Sequence, residues 1–379
     1  MPAAAPRSRG AAAGRGRPGA TTGGMDLPVV PPVAPMLARL SRELPSGAFA
    51  YEPKWDGFRC LAFRCGDEVD MRSRHDRPLA RYFPEVVAAL RAVPQERFSL
   101  DGEIVVAGAT GFDFPALMAR LHPAASRVRR LAAETPAALV AFDLLALGGY
   151  DLRPAPFGER RERLAGLLAG GGPPLHLTPA TDDADTAAGW LERFAGGGID
   201  GVVAKRRDLP YEPGARAMVK VKRERTADCV VAGLRAFVDD GRPMVASLLL
   251  GLHDDAGVLR HVGVASAFSA RRRAELVAEL APLVVPLDGH PWEHGFLVGG
   301  GHLGRLAGAA GRWVPGEMPL DWVPLAPERV CEAAYDQLDR DRFRHAARFR
   351  RWRPDRDPRS CTFEQLEPAA WDPAEVLAA

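Results

Sequence analysis

The chain has 379 residues, 47% of them hydrophobic and 26% charged, with a formal net charge of +2 and a mean hydropathy of −0.13. That is too long for one ordinary domain and apolar enough to bury two cores. Five scattered cysteines (Cys60, Cys65, Cys229, Cys331, Cys361) argue against a secreted disulfide framework. No stretch reaches the roughly 18 uninterrupted apolar residues of a membrane span, so the sequence reads as cytoplasmic.

Residues 1–26 are expected to form a disordered tail. Up to residue 25 they are dominated by Ala, Gly and Pro, with four arginines (Arg7, Arg9, Arg15, Arg17) and no acid, a composition that cannot offset the entropy of ordering. Residues 27–224 alternate between strand and helix patterns. LARYFPEVVAALRAV spaces Leu79, Phe83, Val86 or Val87 and Leu90 at helical intervals despite Pro84. FSLDGEIVV places Phe98, Leu100, Ile104 and Val106 on one face and Ser99, Asp101 and Glu103 on the other, which is strand periodicity. ALVAFDLLAL and GIDGVVAKR read as further strands, and ERRERLAGLL and DDADTAAGWLERF as helices. From 225 to 366 the pattern changes to short strands separated by DDG and DDAG turns, with one helix capped by Ser269. Residues 286–325 are dense in Gly, Pro and Trp and read as loop-rich, ERVCEAAYDQL returns to a strand, and 367–379 reads as a C-terminal tail. Between Asp341 and Ser360 stand eight arginines against three aspartates. Over 27–224 these patterns read as α+β or α/β, and α+β is the fold class expected of the chain.

The segment YEPKWDGFRC carries the most chemistry. Lys54, Asp56, Gly57 and Arg59 put a nucleophile, a carboxylate, a permissive backbone and a phosphate-seeking fork in one short stretch. A lysine attacks only after losing its proton, so its pKa is expected to fall well below the free value. Lys220 and Lys222 in AMVKVKRE share a strand face by period two and would supply that cationic field together with a clamp on phosphate.

KWDG, with Glu52 upstream and Arg59 downstream, resembles motif I of the covalent nucleotidyltransferases, which comprise ATP-dependent DNA ligases, RNA ligases and mRNA capping enzymes. RSRHDRPL, LDGEIV, AFDLL, DGVVAK and MVKVKRERTAD follow in the order of that superfamily's further motifs, and an arginine-rich stretch ends the series. The resemblance covers about residues 27–366, and its fine pattern is most similar to the small monofunctional ATP-dependent DNA ligases of bacteria. It implies a nucleotidyltransferase (adenylation) domain of antiparallel sheets and flanking helices over 27–224, followed by an OB-fold domain over 225–366 hinged near Arg223 to Ala227. It implies that Lys54 attacks the α-phosphate of ATP and holds AMP, with Glu52 beside the adenine, Phe142 stacked on it, and Arg59 and Arg74 near ribose and phosphate. Glu103 and Asp200 would hold Mg2+, since magnesium takes hard oxygen ligands; at position 200 many relatives carry Glu, and the shorter Asp withdraws the oxygen by about one methylene. Lys205, across the sheet from Asp200 in a regular strand, is expected to matter less than Lys222. Arg353, Asp355 and Arg356 in RWRPDRDP match the motif in which the family has R-x-D-K, with arginine in the place of lysine.

The resemblance further implies sealing of nicked double-stranded DNA in repair, by a monomer in the cytoplasm near the nucleoid, beside gap-filling repair polymerases. Only some 25 low-complexity residues precede the catalytic domain, so the extra N-terminal DNA-binding domain of large ligases is not expected. An RNA ligase or a capping guanylyltransferase is the alternative reading. Cys60 and Cys65, without a second pair at metal spacing, read as buried thiols, and His290 and His294 are no zinc pair because Pro291 interrupts them.

Overall fold

The computed structural model describes residues 25–194, 197–295, 322–339, 341–366 and 371–377. The expected N-terminal tail up to residue 24 lies outside the described residues, as does the greater part of the Gly- and Pro-rich stretch after 295.

In chain order the first unit carries β1 (Ala38–Ser41), β2 (Phe49–Trp55), β3 (Phe58–Cys65), β4 (Glu68–Ser73), α1 (Pro84–Ala92), β5 (Arg97–Val106), α2 (Phe114–Ala119), α3 (Ala125–Glu134), β6 (Ala137–Leu147), β7 (Tyr150–Asp151), α4 (Phe157–Leu168), β8 (Leu175–Leu177), α5 (Ala184–Arg193), β9 (Ile199–Arg206) and β10 (Met218–Val221). Two sheets result, one in the order β1-β10-β9-β2 and the other β4-β3-β5-β6-β7 with β8 added on β6. All neighbours run antiparallel except β1 on β10 and β8 on β6. The alternation in β5 works as expected: Phe98, Leu100, Ile104 and Val106 enter one core with Val86 and Leu90 of α1. Pro84 does not interrupt α1 but opens it at the first turn, where a missing N–H costs nothing; the residues before it form a short 3-10 turn over Ala80–Tyr82.

The second unit carries β11 (Arg225–Asp239), β12 (Arg242–His253), β13 (Leu259–Ser266), α6 (Ala270–Leu280), β14 (Val323–Tyr335), β15 (Leu338–Asp339), β16 (Arg342–Phe343) and β17 (Ala347–Trp352). Five of its strands close a barrel in the order β11-β12-β13-β17-β14, the closure that removes exposed edges in OB-type folds. The two-residue turn between β11 and β12 has Asp240 and Gly241 both at positive φ, as the hairpin twist demands. Ser269 caps α6 by accepting from the Arg272 amide, and Leu276 and Leu280 plug the barrel core.

The segment expected as a C-terminal tail returns to the first unit. α7 (Pro373–Leu377) follows Trp371, whose buried ring packs edge-on against Phe112 and Phe194 and belongs to the same core as Trp55 and Phe142. Arg193 and Glu375 pair at 2.6 Å across this contact. Among the described residues no helix is long and apolar enough to cross a membrane.

Candidate active site

β2 carries Lys54 into a cleft of about 1500 Å3 lined by both sheets. β2 and β9 pair in register from Phe49 to Pro53, and the register then slips before Trp55, so a bulge falls at Lys54. A bulge bends the strand and re-aims a side chain; here it turns the Lys54 ammonium onto the Asp200 carboxylate at the start of β9. Gly57 is required on steric grounds, because a Cβ there would overlap the Ile104 carbonyl of β5. The same applies to Gly201, at φ +148°, whose Cβ would overlap the Val221 carbonyl.

One end of the cleft is buried and built from the first unit alone. Glu52 pairs with Val203, and Val203 with Lys220, so Glu52 and Lys220 share a row on the cleft face. Glu52 is only 2% exposed. Its Oε2 meets the Lys205 ammonium at 2.8 Å, and its Oε1 accepts from Arg161 of α4 at 3.2 Å. Burial raises the Glu52 pKa, and Lys205 and Arg161 offset only part of that rise. Lys205 also donates to the Phe142 carbonyl at 2.8 Å and lies 4.9 Å from the centre of the Phe142 ring. Lys205 therefore faces the cleft and carries Glu52. Arg59 stacks over the same ring at 4.6 Å while gripping Asp101 through Nε and Nη2 at 2.5 and 2.6 Å. Tyr211 donates to the same carboxylate at 2.6 Å.

At the other end, the carboxylates are shared with the barrel. Asp200 Oδ2 meets Lys222 at 3.0 Å as well as Lys54, and Oδ1 accepts from Gln337 at 3.1 Å. Arg344, just after β16, donates to both Asp56 and Gln337 and lies over the Phe114 ring. Burial pushes the Lys54 ammonium down, but Asp200, Asp56 and Glu103 together outweigh it and hold its pKa above the ordinary lysine value. This corrects the expectation of a depressed Lys54. The depressed cation is Lys220, pushed down by burial and by the charges of Lys54 and Lys222. The cationic field of the sequence reading is thus present, but Asp200 stands between it and the nucleophile. Asp200 itself is pushed up by burial and pulled lower still by Lys54 and Lys222, ending below the usual carboxylate range. Burial raises Glu103 to about 7, against the pull of Arg59, Lys54 and the Gly57 amide, which donates to Oε1 at 3.1 Å.

Glu52, Lys54, Arg59, Arg74, Glu103, Phe142 and Lys220 of the sequence-predicted set thus line the cleft, Arg74 exposed at its mouth after β4. Asp200 and Lys222 adjoin it through Lys54. Arg353, Asp355 and Arg356 do not line it. Arg353 binds Asp228 of β11 at 2.7 Å and Asp355 at 2.8 Å, and Arg356 approaches the same Asp228 at 3.3 Å. Sequence reasoning missed Arg161, Asp101, Tyr211, Gln337 and Arg344. Asp101 had a signal, standing two residues before Glu103 on the polar face of its strand; Gln337 and Arg344 had none beyond the basic composition around them. Cys60 is buried and Cys65 partly so, and His290 is a core residue whose Nε2 lies 3.0 Å from the Ala232 carbonyl.

A lysine on a bulged strand, ringed by carboxylates and cations in a two-sheet cleft and followed by a five-stranded barrel, defines a nucleotidyltransferase with an OB-fold domain. The ATP dependent DNA ligase domain matches residues 33–222, and the ATP dependent DNA ligase C terminal region matches 241–356. The chain is 53% identical over 344 residues to DNA ligase C2 of Mycolicibacterium smegmatis, covering 90% of this chain and 96% of the relative. It is 51% identical over 347 residues to DNA ligase C of Mycobacterium tuberculosis, again covering 90% and 96%. Among solved structures, one described as a minimal-scaffold Lig E DNA ligase shares the fold with a TM-score of 0.51 at 17% identity, over 84% of this chain and 99% of that one. The chain belongs to the ATP-dependent DNA ligases, enzymes that seal nicks in DNA at the expense of ATP.

Proposed function

We propose that Lys54 is the nucleophile of this ligase. Its Nζ attacks the α-phosphate of ATP, a P–N bond forms as the bond to the β-phosphate bridge breaks, pyrophosphate leaves, and the lysine proton is lost. AMP then passes to the 5′-phosphate of a nick, and attack by the 3′-hydroxyl forms the phosphodiester and releases AMP. The observation that carries this reading is the single cluster in which the bulged Lys54 meets Asp200, with Lys220 and Lys222 within its electrostatic reach. In it Glu52 and Phe142 hold the adenine, Arg59 and Arg74 lie toward ribose and phosphate, and Lys220 and Lys222 neutralise charge on the transferring phosphate.

Glu103 and Asp200, whose charges both act on Lys54, offer hard oxygen donors, a set that suits Mg2+ with water and phosphate completing its shell. A divalent cation there would neutralise the same carboxylates that keep the Lys54 proton in place. Arg353, Asp355 and Arg356 act on pyrophosphate after the barrel turns, since in the present arrangement Arg353 and Arg356 are engaged with Asp228 and Asp355 with Arg353. The reading extends to a monomer acting on nicked duplex in repair beside gap-filling polymerases and the nucleoid, on the strength of the resemblance to small bacterial ligases. Incubation with radiolabelled ATP or GTP, magnesium and a nicked duplex tests it. Labelling by ATP and joining of the duplex are expected, whereas labelling by GTP alone, or joining of RNA ends only, would replace it by the capping or RNA-ligase alternative.

A further inference from the structure

Glu52 is almost fully buried, yet it lines the cleft beside the Phe142 ring. A carboxylate has about four acceptor sites. Lys205 takes one on Oε2 and Arg161 one on Oε1, which leaves the oxygens free to accept from a ligand in the cleft. Arg161 is not itself part of the cleft lining. It reaches Glu52 from behind, from α4, and its other guanidinium arm donates to the Thr178 carbonyl at 2.8 Å. Thr178 is in turn fixed by the Trp55 indole, which donates to its hydroxyl at 2.8 Å. A planar fork held at two points in this way sets the orientation of its partner as well as its charge.

We propose that Arg161 is a specificity-determining positioning residue, which, with Lys205, holds Glu52 as an ionised acceptor for a purine that carries an amino group at position 6. The inference rests on the assignment of Glu52 to the adenine and deepens it. An ionised carboxylate only accepts hydrogen bonds. It welcomes the exocyclic amine of adenine and meets the oxygen of a 6-oxopurine with repulsion between two acceptors, and a buried polar mismatch of this kind discriminates strongly. A protonated Glu52 would instead donate, and would accept the 6-oxopurine. The charged groups acting on Glu52 are Arg161 from α4, Lys205 from β9 and Asp143 from β6; the last works against ionisation. Asp143 is itself engaged by Arg160, the neighbour of Arg161, at 2.7 Å. The two successive arginines of α4 therefore neutralise two carboxylates behind the base-binding wall.

The test compares ATP with ITP, whose base differs from adenine in bearing oxygen at position 6 and a proton on N1, as donors for covalent labelling of the full-length protein. Labelling of the wild type by ATP comes first, since its absence would overturn the assignment of the site before the variant is compared. Arg161→Gln is expected to raise the KM for ATP about tenfold with kcat changed little, and to cut the preference for ATP over ITP about tenfold. Losing one cation raises the Glu52 pKa further above that of a free glutamate, so on going from about pH 8 to about pH 6 the variant's preference should shrink more than that of the wild type. Arg161→Lys, which keeps the charge, should restore the wild-type profile. An Arg161→Gln protein that melts earlier but keeps the wild-type KM and the wild-type preference at both pH values would reduce Arg161 to a structural residue and overturn the proposal. Glu52→Gln, whose amide can donate to the 6-oxygen, tests the same claim where Arg161→Gln does not fold: a narrowed preference supports it and an unchanged one overturns it.

Discussion

At the base end of the cleft, Glu52, Phe142, Lys205 and Arg161 come from one folding unit and are tied to one another by short polar contacts. At the phosphate end, Asp56 and Asp200 share their oxygens with Arg344 and Gln337 of the barrel. The first end is complete whatever the barrel does. The second would change its partners if the barrel moved, which would tie the charge balance on Lys54 to the placement of the barrel as well as to the strand that carries it. On the proposed assignment, recognition of the base is thereby separated from control of the chemistry.

A pair of substitutions sharpens that contrast. Lys222→Ala should lower the maximal rate of self-adenylation by a factor on the order of 100 while leaving the KM for ATP nearly unchanged, because the lost charge acts on phosphate in transfer. Glu52→Gln at the base end should show the reverse split, a KM raised about tenfold with kcat retained. Rapid-quench labelling over a range of ATP concentrations reads both; equal effects on KM and kcat at the two positions would erase the distinction.

The next prediction concerns the barrel. Arg356→Ala should slow ATP-dependent sealing by about tenfold or more, yet leave sealing of a pre-adenylated nick at the wild-type rate, since the pyrophosphate step is then bypassed and Lys54 is untouched. Equal losses on the two substrates, measured on denaturing gels, would make the stretch from Arg353 to Arg356 a DNA contact.

Smaller effects belong to the supports. Trp371→Ala removes a buried ring from the core that contains Phe142, and should cost about 3 kcal/mol of stability in the first unit, read as a lower melting temperature. His261 lies in the barrel, away from the cleft. Burial and the nearby Arg342 push its pKa down to about 3, so the folded protein refuses a proton that the unfolded chain accepts near pH 6.5. Stability from this group is present above pH 6.5 and is lost progressively as pH falls toward 3. Between pH 6.5 and 5.5 the loss should be on the order of 1 kcal/mol. The melting temperature of His261→Gln should fall less steeply over that interval than that of the wild type.

The sequence made the strands and their motifs legible because they obey period two. Glu103 on the polar face of β5 follows from local alternation, whereas the cleft position of Phe142 was implied by the family resemblance and the row shared by Glu52 and Lys220 depends on the pairing of β2, β9 and β10. The bulge at Lys54 was not legible, since it depends on how β2 and β9 register. Nor was the sign of the Lys54 shift: Lys220 and Lys222 were identified as cations, but the place of Asp200 between them and the nucleophile is a tertiary fact. Arg161, Gln337 and Arg344 reach the site from 109, 137 and 288 residues away from their partners as single side chains, and no spacing rule marks them. Trp371 was read as part of a tail because its partners Phe112 and Phe194 lie far back in the chain.

The central claim is that Lys54 holds the nucleotide. Mixing the protein with ATP and magnesium, digesting it and sequencing the modified peptide by mass spectrometry tests this directly. One AMP is expected on Lys54 of the peptide containing KWDG, and none on the Lys54→Ala protein, whose melting temperature should remain near that of the wild type. AMP found on any other residue, or still bound covalently to Lys54→Ala, would contradict the account.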